Sequence, residues 1–170
     1  IDPEQAIDRA LETYLKKGDS EEWVHQRLLA IRIRNDLTTE WDGRGVQKGL
    51  EYAILTDEIS KAWSGMTTRQ YKNLKGLKKE NLRDNMTDLE LVLNMLAEAT
   101  TTEISKAQKP DTFDKSKAVA QSGGKVAGDA RKSIEAQTGK PVITSKNAAE
   151  LGQLVTGLIE DTGDHDKKPE

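Results

Sequence analysis

Apolar residues recur along this chain at intervals of three and four, and nowhere alternate one by one for the length of a strand. Asp2-Pro3-Glu4-Gln5 predicts a first helix start: aspartate caps, proline suits the first helical position, and Gln5 sits where a capping box needs it. Ala6, Ile7, Ala10, Leu11, Tyr14 and Leu15 continue it as an apolar stripe that Gly18 ends. Asp19 with Glu22 opens a long second helix, which carries Trp23, Val24, Arg27, Leu28, Ile31, Leu37 and Trp41 before Gly43 and Gly45. Tyr52 to Leu55 is a short apolar run. Thr56 then caps a short helix through Trp63, Ser64-Gly65 turns the chain, and Thr67 or Thr68 starts another that Gly76 breaks. Lys78 to Met86 adds a further helical turn or two. Thr87-Asp88-Leu89-Glu90 is a capping box, followed at helical spacing by Val92, Leu93, Leu96, Thr100 and Ile104.

Lys109-Pro110-Asp111 reads as a linker and subdomain boundary. Beyond it Val119, Gly123, Val126, Ala130 and Ile134 form a stripe within a run rich in small residues, from Ala118 to Ala130. Small residues let another helix approach closely, but each glycine costs about 1 kcal/mol against alanine, so Gly123-Gly124 is also a candidate break. Gly139 and Pro141 end this element. Ser145 opens a last helix carrying Ala148, Leu151, Val155, Leu158 and Ile159, and Gly163 onward reads as a disordered charged tail. Val142-Ile143-Thr144 is too short to count as a strand. The expectation is an all-α protein of six to eight helices. Residues 1–108 form the main bundle, with a basic helix-turn-helix-like segment over 55–86. Residues 109–162 form a C-terminal helical appendage, and 163–170 the tail.

Composition agrees with helices that have wide polar faces: charged residues make up 32% of the 170, aromatics only 4%. The absence of cysteine removes disulfides, thiolate zinc sites and thiol nucleophiles. No apolar run approaches a membrane span and no signal peptide opens the chain, so a cytoplasmic location without membrane contact is expected. The chain begins Ile1-Asp2-Pro3 rather than with methionine, and reads as the C-terminal piece of a longer protein.

Charge changes the picture most. The stretch from Lys61 to Arg83 holds seven basic residues and one acid, a balance of +6 in a protein whose formal charge is −3. A basic island on an acidic protein marks a place to meet an anion. Helix, glycine turn and second helix over Leu55 to Leu77 outline a helix-turn-helix, whose second helix would offer Arg69, Gln70, Lys72, Asn73 and Lys75 to phosphates or base edges. Lys78, Lys79 and Arg83 continue the basic surface. The ordinary alternative is two short core helices with a solvated basic face. Lys61 also stands where such motifs prefer alanine.

Other candidate chemistry is thin. Trp23, Trp41 and Trp63 fall on apolar stripes and read as core rather than as platforms for bases. His25 and His165 each lack a second histidine or cysteine nearby, which argues against a metal site. Asp161, Asp164 and Asp166 lack calcium-loop spacing. Ser122-Gly123-Gly124-Lys125 and Gly139-Lys140-Pro141 both fail the phosphate-loop pattern. No nucleophile-base pair stands out, so neither an enzyme nor a cofactor is expected.

Three blocks carry a family resemblance: Tyr52-Ala53-Ile54; Lys75-Gly76-Leu77-Lys78-Lys79-Glu80-Asn81-Leu82-Arg83-Asp84-Asn85-Met86 with Thr87 to Leu93; and Gly123-Gly124-Lys125-Val126-Ala127 with Ala130-Arg131 and Thr138-Gly139-Lys140-Pro141-Val142. Over about Tyr52 to Ala149 the chain resembles the C-terminal part of the damage-inducible protein D family and its phage and plasmid relatives. The resemblance implies a preceding Bro-type DNA-binding domain, a link to the bacterial SOS response or to mobile elements, and a regulator of DNA or recombination filaments rather than an enzyme. Two functions follow as expectations. The first is a non-catalytic module touching DNA or a recombination filament protein through the basic patch. The second is a module that forms a homodimer or docks a protein through the small-residue run.

Overall fold

The computed structural model describes residues 20–146, together with Arg9 and Glu12. These residues are all-helical, without strands: α1 (Glu21–Gly43), α2 (Leu50–Ser64), α3 (Thr68–Leu74), α4 (Asp88–Gln108) and α5 (Phe113–Thr138), with one 3-10 turn at Arg83–Asn85. The expected first helix, apart from Arg9 and Glu12, lies outside the described residues, as do the last helix and the tail.

Local chemistry sets most boundaries. Ser20 caps α1, its Oγ accepting from the Trp23 N–H at 3.2 Å, and Glu21 and Glu22 complement the positive end of the helix. Gly49, at φ 88°, precedes α2 in a conformation open to few other residues. α2 therefore starts at Leu50, six residues before the expected cap at Thr56. Thr56 sits inside the helix and returns its hydroxyl to the Tyr52 carbonyl at 2.7 Å, the bond that lets threonine live mid-helix. Gly65, in the left-handed region, closes α2 onto the Lys61 carbonyl. Thr67 and Gln70 form a capping box on α3, and Thr87 and Glu90 form the expected one on α4.

α4 lies between α1 on one side and α5 on the other, and α5 also packs along α2. The core joins Leu37 and Trp41 of α1, Leu55, Ile59 and Trp63 of α2, Tyr71 of α3, Leu91 and Ala97 of α4, and Ala120 and Ala127 of α5. All three tryptophans are buried, as expected of core residues.

Residues 113–138 depart from the appendage expected of them. They form one unbroken helix that supplies a wall of the same core, and Lys109-Pro110-Asp111 is the turn between two packed helices. The glycines explain both facts. A Cβ on Gly123 would stand 2.7 Å from the Thr101 Cα, and one on Gly124 would stand 2.7 Å from the Ile59 carbonyl oxygen. The Gly pair breaks nothing, because close packing against α4 and α2 offsets its poor helix propensity. Arg131 fastens the far end, donating from Nε to the Trp63 carbonyl at 2.8 Å while its Nη1 pairs with Glu135 at 2.5 Å.

Candidate nucleic-acid interface

The seven cations of the basic island divide by what the fold places beside them. Lys61 pairs with Glu58 across one helical turn at 3.0 Å. Lys75 and Arg83 are drawn inward. Arg69, Lys72, Lys78 and Lys79 make no ion pair among the described residues.

Lys75 is a correction to the sequence reading. Its ammonium is fully buried and donates to Glu90 Oε2 at 2.7 Å and to the Lys146 carbonyl. Glu90 is equally buried. It accepts from the Tyr71 hydroxyl at 2.8 Å and from the Thr87 N–H at 2.7 Å, so one carboxylate serves as helix cap, counter-ion and phenol acceptor. Burial first, then the neighbouring Glu90 carboxylate, pushes the Tyr71 phenol far above its ordinary range. This is a structural cluster, and Lys75 has no free face for a phosphate.

Arg83 is a second correction. Its Nη2 donates to Glu98 Oε1 at 2.5 Å, and it lines a small inner cavity with Asn94 and Glu98 instead of the outer surface. The helix expected over Lys78 to Met86 is a bend followed by the single 3-10 turn, so Lys79 and Arg83 do not share a helical face. Gln70 is a third. Its side-chain oxygen turns back to the Thr67 N–H at 2.9 Å to complete the capping box. The signal for that role was present in the sequence as Thr67-x-x-Gln70.

The remaining candidates do assemble. Arg69, Lys72 and Asn73 of α3 and Lys78 of the following bend line one open cleft of about 610 Å³. Tyr52, Ala53, Thr56 and Asp57 of α2 form its opposite wall, with Arg34 of α1 and Leu77 completing it. The lining holds four cations against one carboxylate. That carboxylate, Asp57, accepts from the Thr68 N–H at 3.0 Å and so fixes the start of α3. Lys79 is exposed but does not line the cleft.

Arg34 is a cleft residue that the sequence reading missed. Its Nη2 donates to Thr56 Oγ1 at 2.7 Å, and its guanidinium lies 5.0 Å from the centre of the Trp41 ring. Nη1 is buried without a hydrogen-bond acceptor, 3.9 Å from Glu98 Oε1. Burial lowers its pKa below the usual guanidinium range; Glu98 opposes this and Arg83 adds to it. The available signal was spacing: Arg27, Arg34 and Trp41 recur every seven residues on the buried stripe of α1, where charged residues are unusual.

The small-residue face, expected as the docking or dimer surface, is covered within the chain. Gly123, Gly124, Ala127 and Gly128 are buried. His25 is exposed beside Glu21, and no group of residues able to hold a metal ion occurs among the described residues. No described helix is long and apolar enough to cross a membrane. No family model matches the chain, and comparison with curated proteins and with solved structures finds no match.

Proposed function

We propose that this helical bundle is a non-catalytic module that meets the phosphate backbone of DNA, alone or within a recombination nucleoprotein. The observation that carries the proposal is the gathering of Arg69, Lys72 and Lys78 around one cleft, with Asn73 beside them and none of the three in an ion pair among the described residues. Cations held without counter-ions on an otherwise acidic protein are costly in self-repulsion and useful when an anion arrives. The resemblance to the damage-inducible protein D family gives this module its setting, as part of a regulator in the DNA-damage response or in a phage or plasmid. In that setting the protein is bacterial and works in the cytoplasm.

Fluorescence anisotropy with labelled single- and double-stranded oligonucleotides at low salt tests the proposal. Binding weakens as salt rises, because neutralised phosphates release counter-ions. Replacing Arg69, Lys72, Lys78 and Lys79 by glutamine weakens binding to every sequence alike. It also makes the salt slope shallower by about 0.9 for each duplex phosphate that is no longer neutralised. Absence of affinity for either strand form refutes direct contact. In the alternative, a dimerisation or docking module working through the small-residue run, a partner would meet the exposed positions beside Val126, since α2 and α4 cover the glycines.

A further inference from the structure

We infer that the cleft receives one unstacked nucleotide of a single-stranded nucleic acid. Its phosphate meets Arg69, Lys72 and Lys78, and its base enters between Tyr52, Ala53 and Leu77. This inference rests on the proposed nucleic-acid function and specifies the form of nucleic acid.

Three observations separate single strand from duplex. The first is shape. Pockets of roughly 300–1,000 Å³ take small organic ligands, and a cleft of about 610 Å³ falls in the range for a single nucleotide. A duplex keeps its bases stacked inside and brings only backbone and groove edges to such a cleft, whereas a single strand can extrude a base into it. The second is the condition of α3. A reader helix in the major groove needs a free face carrying several base-contacting side chains. Here the helix spans seven residues, the Gln70 side-chain oxygen is engaged in its cap, and Lys72 and Asn73 share a concavity with residues of α1 and α2.

The third observation is the mixture of chemistry in the lining. Ala53 and Leu77 give apolar surface, Tyr52 an aromatic ring, and Asn73 an amide that both donates and accepts. Such a set suits the face and edge of a base. Arg69, Lys72 and Lys78 suit its phosphate.

The test uses the full chain, a labelled thymidine oligomer about twenty nucleotides long, which exceeds the footprint of typical single-strand-binding folds, and a duplex of equal length. Ala53 is exposed on the cleft wall, so Ala53→Leu fills the cavity without removing a charge or adding a ring on which a base could stack. The wild-type protein is expected to prefer the single strand by about tenfold, at the lower end of what one stacked base contributes. Ala53→Leu abolishes that preference and leaves duplex affinity within about twofold, since long-range charge attraction is unchanged. Ala53→Met fills the cleft with a different shape and produces the same selective loss, which guards against a folding defect peculiar to one variant. Equal affinity for both strand forms overturns the inference while leaving the phosphate-binding function standing. So does a single-strand preference that survives both filled variants. Absence of binding to either form overturns the function and the inference together.

Discussion

Replacing Gly124 by alanine tests the packing that makes α5 part of the bundle. Helix propensity alone favours the change by about 1 kcal/mol. Packing opposes it. The new Cβ would stand 2.6 Å from the Ala62 Cβ, 2.7 Å from the Ile59 carbonyl oxygen and 3.2 Å from the Ile59 Cα. Carbon atoms in contact prefer about 3.5–4.0 Å, so α5 and α2 must part by roughly 1 Å at this level. Two of the three obstructing atoms are backbone, and no rotamer change can move them. A gap of that size forfeits a quarter to a half of the attraction between each pair of atoms it separates, and overpacking a full interface costs about 1–3 kcal/mol. Helix displacement also opens the neighbouring Gly128 crossing, where the chain again meets α2 backbone. The net expectation, the centre of the packing range less the propensity gain, is a loss of about 1 kcal/mol. At this chain length that lowers Tm by roughly 2–4 °C. Thermal unfolding followed by circular dichroism measures it, with exposed Ser122→Ala on the same helix as the control. The control gains a few tenths of a kcal/mol from propensity. Should Gly124→Ala raise Tm as the control does, the helices do not pack this closely and the account of α5 is wrong.

Lys75→Met strands the Glu90 carboxylate in the core and costs about 3–5 kcal/mol, whereas adding Glu90→Gln to it recovers a large share; urea unfolding of the two singles and the double reads the coupling, and near-additive losses would contradict a buried pair. Acid should weaken the α2–α5 junction through Glu58. A hydrogen bond from Gln121 at 2.9 Å and another from Lys61 at 3.0 Å hold its carboxyl below the ordinary range, against the opposing effect of burial. The folded value is the depressed one, so this stabilisation is present above about pH 4.3 and is lost as pH falls through the folded value. Glu58→Gln should therefore give a flatter dependence of Tm on pH in the acid range, and parallel curves for variant and wild type would reject the assignment.

What the sequence could reveal depended on distance along the chain. The box at Thr87 and Glu90 was legible because both partners stand within one helical turn, and the tryptophans because periodicity alone puts them on the inner stripes. Thr56 misled, since a threonine that caps a helix and one that bonds back to the preceding turn look alike in one dimension. The glycines of α5 were ambiguous in the same way: their low propensity is local, and the backbones that reward their smallness belong to Ile59, Ala62 and Thr101. Lys75 and Arg83 could not be told from surface cations. Each finds its carboxylate fifteen residues further on, across a turn whose path no local rule sets.

α2 connects the two halves of this architecture. One face, with Ile59, Ala62 and Trp63, lies against the small-residue side of α5. Ala53, Thr56 and Asp57, in the preceding turns of the same helix, form the cleft wall. A helix is stiff over its few turns, so whatever fixes one stretch fixes the other. The glycines of α5 thus help to set the width of a cleft they do not line. The buried Lys75–Glu90–Tyr71 cluster does the same for the far wall, because it ties the end of α3 to the first turn of α4. The inward cations therefore have a positional role toward the outward ones. Lys75 and Arg83 neutralise carboxylates of α4 and hold the segments on which Lys72 and Lys78 are mounted, while those two cations themselves make no ion pair among the described residues.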